Sequence, residues 1–291
     1  MLEYHSIALL VKQAIEQGVA ISALIIADQA EFMDKSTEEL FSIMKKNLDI
    51  MREAARKGVA QDLRSTSGLT GGDGWRMNEY ALKGATLSGT FCASAITQAI
   101  AIAEYNAAMG KIVAAPTAGS CGILPAAILT MIEHGASEKD AVMALFTAGA
   151  FGMVIMNEAS IVGAEGGCQA ECGSAAALAA AALVEMAGGT PDRVAHAAAI
   201  ALKNQLGLVC DPVAGLVEVP CIKRNAAATM CAITSADMAL AGVKSVIPID
   251  EVISAMWEVG ETIPQTLRET GTGGLAVTPT GLAIRQKILG A

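Results

Sequence analysis

The chain has 291 residues and a net charge of −9, and 53% of its residues are hydrophobic although only 3% are aromatic. This length allows one large domain or two small ones, and a core with so few aromatic side chains favours tightly packed helices over a β-sandwich. The negative charge, with no long basic cluster, gives little support for nucleic-acid binding.

The cysteine content and the N-terminus predict a reducing, cytoplasmic environment. Seven cysteines, an odd number in a chain of this length, do not indicate a disulfide framework, and MLEYHSIALLVKQ lacks the pattern of a secretory signal. Two uncharged stretches, 84–103 and 112–132, are long enough to span a membrane. The first is rich in small and hydroxyl residues and the second contains Pro116 and Pro125, so buried helices explain both, and no membrane association is expected.

The N-terminal third has the pattern of an amphipathic scaffold. Apolar residues at helical spacing predict helices over 3–17 and 20–33. Ser36 and Glu39 form a capping-box pattern that starts a third helix, which is expected to end at Gly58. No catalytic group stands out in this part of the chain.

A segment rich in glycine and hydroxyl residues, 60–76, then interrupts the helical pattern. Such a loop can present backbone N–H groups and hydroxyls to an anion. Ser67, Thr70 and Gly71 are therefore candidates for binding a substrate carboxylate. The segment is not a Walker loop, because no Gly-Lys-Ser/Thr follows, and a plain connection between helices is the alternative.

The motif APTAGSCGILPA predicts a turn followed by a helix over 123–132. The first turn of a helix has free N–H groups and the positive end of the helix dipole, which together favour a carboxylate. Thr117, Ser120 and Gly122 would surround such a carboxylate. Cys121 would experience the same field, which is expected to lower the pKa of its thiol.

Ser137 with Asp140 is predicted to open another helix, whose 141–156 part is apolar on nearly every side and is predicted to be central and buried. Polar groups follow at its end, at Asn157, Glu158, Ser160 and Glu165. Because buried polar groups need partners, these residues are expected either to support a nearby site or to contact a substrate, and Asn157 is a candidate for substrate binding.

Three more helices are predicted in the last part of the chain before the tail. An alanine-rich helix covers 173–187, and a second begins at Thr190-Pro191 and leads to Cys210. A third covers 222–242. Asp250 is predicted to cap a further helix over 251–259.

Cys168, Cys210 and Cys221 lie in three different local settings, each beside glycine or proline. Thiolates on irregular backbone are well placed to converge on one metal centre, and a shared metal or iron–sulfur site is one interpretation. The spacing matches no zinc-finger, ferredoxin or radical-enzyme signature. Three unrelated buried thiols are the alternative, since free cysteine is among the most often buried residue types.

Four sequence runs together resemble the α chain, or α domain, of the bacterial iron–sulfur L-serine dehydratases, from about residue 40 to the C-terminus. They are GAEGGCQAE, APTAGSCGILPA, LGLVCDPVAGLVEVPCIKRNA and RETGTGGLA. The resemblance implies that Cys168, Cys210 and Cys221 hold a 4Fe–4S cluster with one iron not ligated by cysteine. Cys172 is not a ligand position in the family motif, and we interpret it as a packing residue. The glycine-rich tail contains no cysteine that could bind the remaining iron.

The resemblance further implies an L-serine ammonia-lyase of amino-acid catabolism and gluconeogenesis that forms pyruvate and ammonia. The cluster would act as a Lewis acid on the serine hydroxyl. Arg224 is a candidate for substrate binding that could neutralise a carboxylate or the cluster's negative charge, and an ordinary surface ion pair is the alternative. The family's histidine-bearing segment belongs to a β domain that is absent here. A separate β chain is therefore expected to supply the general base, and an oligomer is expected.

No internal repeat or linker divides the sequence, which predicts a single all-α domain over 1–291 with glycine-rich loops gathering the cluster ligands. A pyridoxal-phosphate enzyme would need alternating strands and helices with a Schiff-base lysine, and this pattern does not appear. An iron–sulfur protein that transfers electrons or acts as a sensor, without catalysis, is the alternative function.

Overall fold

The computed structural model describes residues 2–290, a range that contains thirteen α-helices and no β-strand. The predicted all-α fold is confirmed; the prediction of one domain over 1–291 stays a prediction, and its two end residues lie outside the described range. The helices are α1 (Ile7–Gln17), α2 (Ile21–Met33), α3 (Thr37–Gly58), α4 (Asp73–Leu82), α5 (Gly89–Ala107), α6 (Ile123–Glu133), α7 (Glu138–Glu158), α8 (Gly163–Gly166), α9 (Ser174–Met186), α10 (Pro191–Lys203), α11 (Cys221–Leu240), α12 (Ile249–Thr262) and α13 (Pro279–Leu289). A π-helix covers Gln169–Gly173, and short 3-10 turns cover Val213–Gly215, Gln265–Leu267 and Gly274–Val277.

The predicted start signals of several helices are confirmed. The capping box before α3 is complete, because the Ser36 hydroxyl accepts from the Glu39 N–H while the Glu39 carboxylate accepts from the Ser36 N–H. Ser137 and Thr190 cap α7 and α10 with their side-chain oxygens, and Pro191 occupies the first position of α10. Each of these N-terminal caps involves residues within one helical turn, so it can be predicted from the local sequence.

The alanine-rich helix α9 lies at the centre of the packing. It contacts α6, α7, α10 and α11, and all of its side chains from Ser174 to Val184 are buried. Its small side chains let the neighbouring helices approach closely, which compensates for the shortage of aromatic residues. The predicted burial of α7 is also confirmed, with Phe151 fully inaccessible to solvent.

Within residues 2–290, α7 is long and apolar enough to meet the criteria for a membrane span, and 61% of its most apolar window is buried in the fold. The helices α1 and α2 meet the same criteria only when taken together across a 98° bend. A buried core helix satisfies these criteria as readily as a spanning one.

Several helix boundaries differ from the sequence-based predictions, and three of the differences have a clear tertiary cause. The loop predicted over 60–76 ends early, because α4 begins at Asp73. Glu104 of α5 accepts hydrogen bonds from the Asp73 and Gly74 N–H groups at 3.1 and 2.9 Å. This carboxylate provides the cap of α4 from a distant part of the sequence.

The helix predicted to lead to Cys210 also ends early, at Lys203. Gly207 has a left-handed backbone (φ 83°), and its N–H donates to Gln169 Oε1 at 2.9 Å instead of continuing the helix. Cys210 therefore lies on non-helical backbone.

The third difference concerns Asp250, which does not cap α12. It lies within the first turn of that helix, and its carboxylate accepts from the Ser6 hydroxyl and from the Ile7 and Ala8 N–H groups. These contacts place it at the start of α1, which begins at Ile7 and not at the predicted residue 3.

Candidate functional site

Four buried cysteines, Cys168, Cys172, Cys210 and Cys221, face a common interior region. None is more than 8% exposed, and all are reduced. Cys168 precedes the π-helix, Cys210 lies on the extended segment after α10, and Cys221 is the first residue of α11. Because a Cys168 thiolate raises the pKa of both Cys210 and Cys221, the three thiols predicted as ligands lie close enough to interact electrostatically.

Cys172 belongs to the same group through a direct contact with Cys168. The two Sγ atoms are 3.3 Å apart. This contact lowers the pKa of Cys168, while it and burial raise the pKa of Cys172. Cys172 is therefore the protonated partner that stabilises a Cys168 thiolate. The sequence-based interpretation of Cys172 as a packing residue did not include this contact.

The other two thiols need a cation to ionise. Burial raises the pKa of Cys210 and Cys221, to about 12 for Cys221, and each thiolate nearby raises it further. Metal ions bind the thiolate form, and an iron centre reverses this penalty by supplying positive charge.

The buried thiols are of the donor type that an iron–sulfur cluster requires. Among residues 2–290, no three cysteine, histidine or carboxylate side chains are arranged to hold one metal ion. In an iron–sulfur cluster, each cysteine binds a different iron, so the sulfur atoms need not meet at one point. A set of buried, mutually interacting thiols therefore fits the cluster that the resemblance implies.

Arg224 lies beside these thiols, in the first turn of α11. Its guanidinium donates to Asp211 Oδ1 and to the Val209 carbonyl oxygen, each at 2.8 Å. Although burial opposes its charge, the Cys168 thiolate and Asp211 raise the pKa of Arg224. Arg224 in turn helps to lower the pKa of Cys168 and offsets part of the rise that burial causes at Cys221, so the structure brings this predicted residue to the cysteines.

The turn before α6 carries the next group of predicted residues. Thr117 Oγ1 lies 3.1 Å from Ser120 Oγ and donates to Glu171 at 2.8 Å. The Gly122 N–H, however, donates to Asn225 Oδ1 at 2.8 Å. The two hydroxyls thus lie at the site beside Glu171, while the Gly122 N–H already has an acceptor.

The expected acidity of Cys121 is wrong. The residue is fully buried, and burial raises its pKa to about 12. The cost of placing a charge in an apolar interior exceeds the favourable field at the helix start.

Glu171 was missed by the sequence reasoning, although it lies in the GAEGGCQAE run. Its carboxylate is packed between two glycines, where an added Cβ on Gly119 or Gly163 would lie 2.9 or 2.6 Å from an oxygen of Glu171. Cys210 Sγ lies 3.9 Å from Oε2. Burial raises the pKa of Glu171, and the nearby Glu269 raises it further.

Asn225 was missed as well, and it joins two parts of the site. Its amide donates to the carbonyl oxygens of Gly119 and Cys221 at 2.8 and 3.0 Å. It therefore ties the first turn of α11 to the turn before α6. Its position in the IKRNA run was the only available signal.

The predicted anion-binding loop does hold a carboxylate, but one from this chain. Ser67 and Thr70 donate to the two oxygens of the buried Glu218 at 2.7 and 2.6 Å. Gly71 has a φ of 135° and is packed against the Leu63 carbonyl. The binding of substrate by Ser67, Thr70 and Gly71 stays a prediction. In that role, the Ser67 and Thr70 hydroxyls would bind both Glu218 and the substrate.

Asn157 contacts a different part of the molecule. It is exposed at the end of α7, and its amide donates to the Tyr4 carbonyl oxygen at 2.8 Å. The structure thus brings Asn157 to the N-terminal segment, and its role in substrate binding stays a prediction.

Comparisons with known proteins agree with the resemblance. The family described as serine dehydratase alpha chain matches residues 16–276. A probable L-serine dehydratase alpha chain from Bacillus subtilis (strain 168) is 51% identical over 99% of this chain and 96% of its own length. The L-serine dehydratase alpha chain of Peptoniphilus asaccharolyticus is 46% identical over 94% of both chains. L-serine dehydratase 1 of Escherichia coli (strain K12) is 46% identical over 62% of this chain and 40% of that protein.

Proposed function

The chain belongs to the serine dehydratase alpha chain family, and we propose that it is a lyase that converts L-serine to pyruvate and ammonia. The observation that carries the proposal is the gathering of the buried thiols of Cys168, Cys210 and Cys221 around one region. In a chain of this family, such a donor set supports a 4Fe–4S cluster held by these three cysteines.

When bound, such a cluster supplies a Lewis-acidic iron, not ligated by cysteine, that can stabilise the departing hydroxide of serine. The protein's own residues provide the remaining environment. Arg224 offsets the negative charge of the thiolates, and the contact with Cys172, at 3.3 Å between the two Sγ atoms, lowers the pKa of Cys168. Burial of all four cysteines excludes water from the ligands.

The groups around Glu171 are suited to orienting the amino acid. The Thr117 and Ser120 hydroxyls lie in the turn that precedes α6, the end of the helix whose dipole favours the substrate carboxylate. The Glu171 oxygens can accept hydrogen bonds from the substrate ammonium group. Ser67, Thr70, Gly71, Gly122, Asn157 and Arg224 remain candidate substrate contacts.

Elimination removes the Cα proton and the β-hydroxyl of serine as water. The resulting aminoacrylate tautomerises to an imine, which water hydrolyses to pyruvate and ammonia without further catalysis. We propose that the base that removes the Cα proton comes from a separate β chain and that the assembly is a cytoplasmic oligomer without pyridoxal phosphate. The relatives' designation as alpha chains supports a β partner.

The proposal is tested by anaerobic reconstitution with iron and sulfide, alone and with a β chain, for wild type, Cys210→Ala and the control Cys92→Ala. Cys92 is a half-buried cysteine of α5 outside the group. Wild type and control are expected to bind iron and, with the β chain, to release pyruvate from L-serine, whereas Cys210→Ala loses both properties. Iron binding without pyruvate, even with the β chain, would instead indicate electron transfer or sensing. Full activity of the isolated chain would refute the β-chain base.

A further inference from the structure

The backbone around Cys210 is held by a segment much later in the chain. The Cys210 N–H donates to the Leu267 carbonyl oxygen, and the Cys210 carbonyl oxygen accepts from the Glu269 N–H, each at 2.8 Å. These two bonds form an isolated parallel bridge between Cys210 and Arg268. Because Cys210 lies outside any helix, its position depends on these tertiary contacts.

Asp211 joins this backbone to two other elements. Its carboxylate is 3% exposed and accepts from Arg224 Nη2 through one oxygen and from the Leu275 N–H through the other, each at 2.8 Å. Gly274 permits the second contact, since an added Cβ would overlap Asp211 Oδ2. A buried carboxylate with both oxygens occupied in this way has one well-defined position.

Arg224 extends the connection to a second thiol. It donates to Val209 on the other side of Cys210, and it lies three residues after Cys221 in the first turn of α11. The guanidinium thus joins the Val209 main chain and the Asp211 side chain, on either side of Cys210, to the helix that carries Cys221. Arg224 and Asp211 together therefore tie the Cys210 segment to the first turn of α11.

We propose that Asp211 is the positioning residue for the Cys210 thiol, which it holds by joining Arg224 to the main chain of the 267–275 segment. The proposal rests on the proposed function only in taking Cys210 as a cluster ligand. Its structural content, that Asp211 restrains Cys210, holds with or without a cluster. Asp211 itself is not placed in contact with substrate.

The test compares Asp211→Asn with the control Asp73→Asn in the full chain. Asp73 pairs with Lys223, the residue beside Arg224, and has no contact with the 267–275 segment among the hydrogen bonds and ion pairs of residues 2–290. Both variants replace one carboxylate that pairs with a cation of α11 by an amide, but only Asp211, the more buried of the two, also accepts a hydrogen bond from the 267–275 segment.

The first readout is alkylation of the cluster-free protein by iodoacetamide, followed at each cysteine by mass spectrometry. Since a hydrogen bond to a charged group is lost, Asp211→Asn is expected to speed alkylation of Cys210 by about ten- to a hundredfold relative to Cys92. The control should leave this ratio at the wild-type value. The second readout is the rate of iron loss to a chelator after reconstitution, which should rise in Asp211→Asn alone.

Equal Cys210 alkylation in Asp211→Asn and the control would overturn the proposal. If Asp211→Asn does not fold, as judged by circular dichroism, Gly274→Ala replaces it in the test, because the added methyl group displaces the same carboxylate. Cys210 alkylation in Gly274→Ala that equals the control would likewise overturn the proposal. Asp211→Glu, which keeps the charge, should restore part of the protection. A further outcome separates the two proposals. If Asp211→Asn speeds alkylation of Cys210 but neither this variant nor wild type binds a cluster on reconstitution, the positioning role stands and the proposed function is refuted.

Discussion

The α9 core and the segment around Cys210 are stabilised by different kinds of contact. α9 is buried through the packing of small apolar side chains against four neighbouring helices. The Cys210 segment is not helical. It is held by main-chain hydrogen bonds with Leu267 and Glu269, by Arg224 at Val209 and Asp211, and by Leu275 at Asp211. Non-directional packing tolerates small adjustments, whereas directional bonds define where a ligand lies. Substitutions in the core should therefore change mainly the free energy of unfolding, whereas substitutions in the irregular segments should change mainly the geometry of the site.

The largest expected effect is complete loss of the site without loss of the fold. Cys221→Ala removes a proposed ligand, so iron bound after reconstitution should fall to background, while the free energy of unfolding changes by only about 1 kcal/mol. Iron analysis and urea denaturation measure the two effects. Cys231→Ala is the matched control, because it removes a half-buried thiol of the same helix, α11, that lies outside the group of four cysteines, and it should retain iron. Loss of iron in both variants would show that the effect is not specific to the proposed ligand.

The opposite pattern is expected for a core residue of α7. Phe151→Ala leaves a cavity beside fully buried neighbours, and the free energy of unfolding should fall by about 3–5 kcal/mol. Where the variant remains folded, its iron content should match that of wild type. Denaturation monitored by circular dichroism, with iron analysis at low temperature, provides the comparison. Loss of iron from the folded variant would contradict the separation of core and site.

A smaller effect on substrate binding is expected from Glu171→Gln. The amide can still accept the hydrogen bond from Thr117 but lacks the charge proposed to face the substrate ammonium group. The KM for L-serine should rise by about ten- to a hundredfold, since hydrogen bonds between charged groups are the stronger ones. Glu165→Gln, a nearby carboxylate that accepts from Ser160, is the control. An unchanged KM in Glu171→Gln would remove Glu171 from the substrate site.

The smallest effect concerns a carboxyl group within the core. Glu185 of α9 is largely buried and accepts from Thr147 Oγ1 at 2.6 Å, and burial raises its pKa. The folded state therefore holds the proton more tightly than the unfolded state, so this group's contribution to stability falls as the pH rises from about 4.5 toward the raised value. Glu185→Gln should flatten that dependence in urea titrations at several pH values. A steeper dependence in the variant would contradict the assignment.

Local sequence was sufficient to predict features that depend on neighbouring residues. The Ser36–Glu39 capping box and the Thr190-Pro191 start of α10 are complete within one helical turn, so their prediction needed no tertiary information. The all-α fold followed from composition and periodicity for the same reason. The grouping of Cys168, Cys210 and Cys221 was expected from a resemblance, since spacing alone left unrelated buried thiols as an alternative.

Tertiary structure decided the features in which distant residues compete for one group. Glu104 of α5 caps α4, and Asp250 of α12 accepts hydrogen bonds from the start of α1. At Cys121, burial raises the pKa of the thiol despite the favourable field of the helix dipole. Glu171 accepts a hydrogen bond from Thr117, and Asp211 accepts one from Leu275, and both donors are distant in the sequence. A sequence determines which groups can donate, accept or ionise. Which partner each one finds, and how much water remains beside it, depends on the packing of the whole chain.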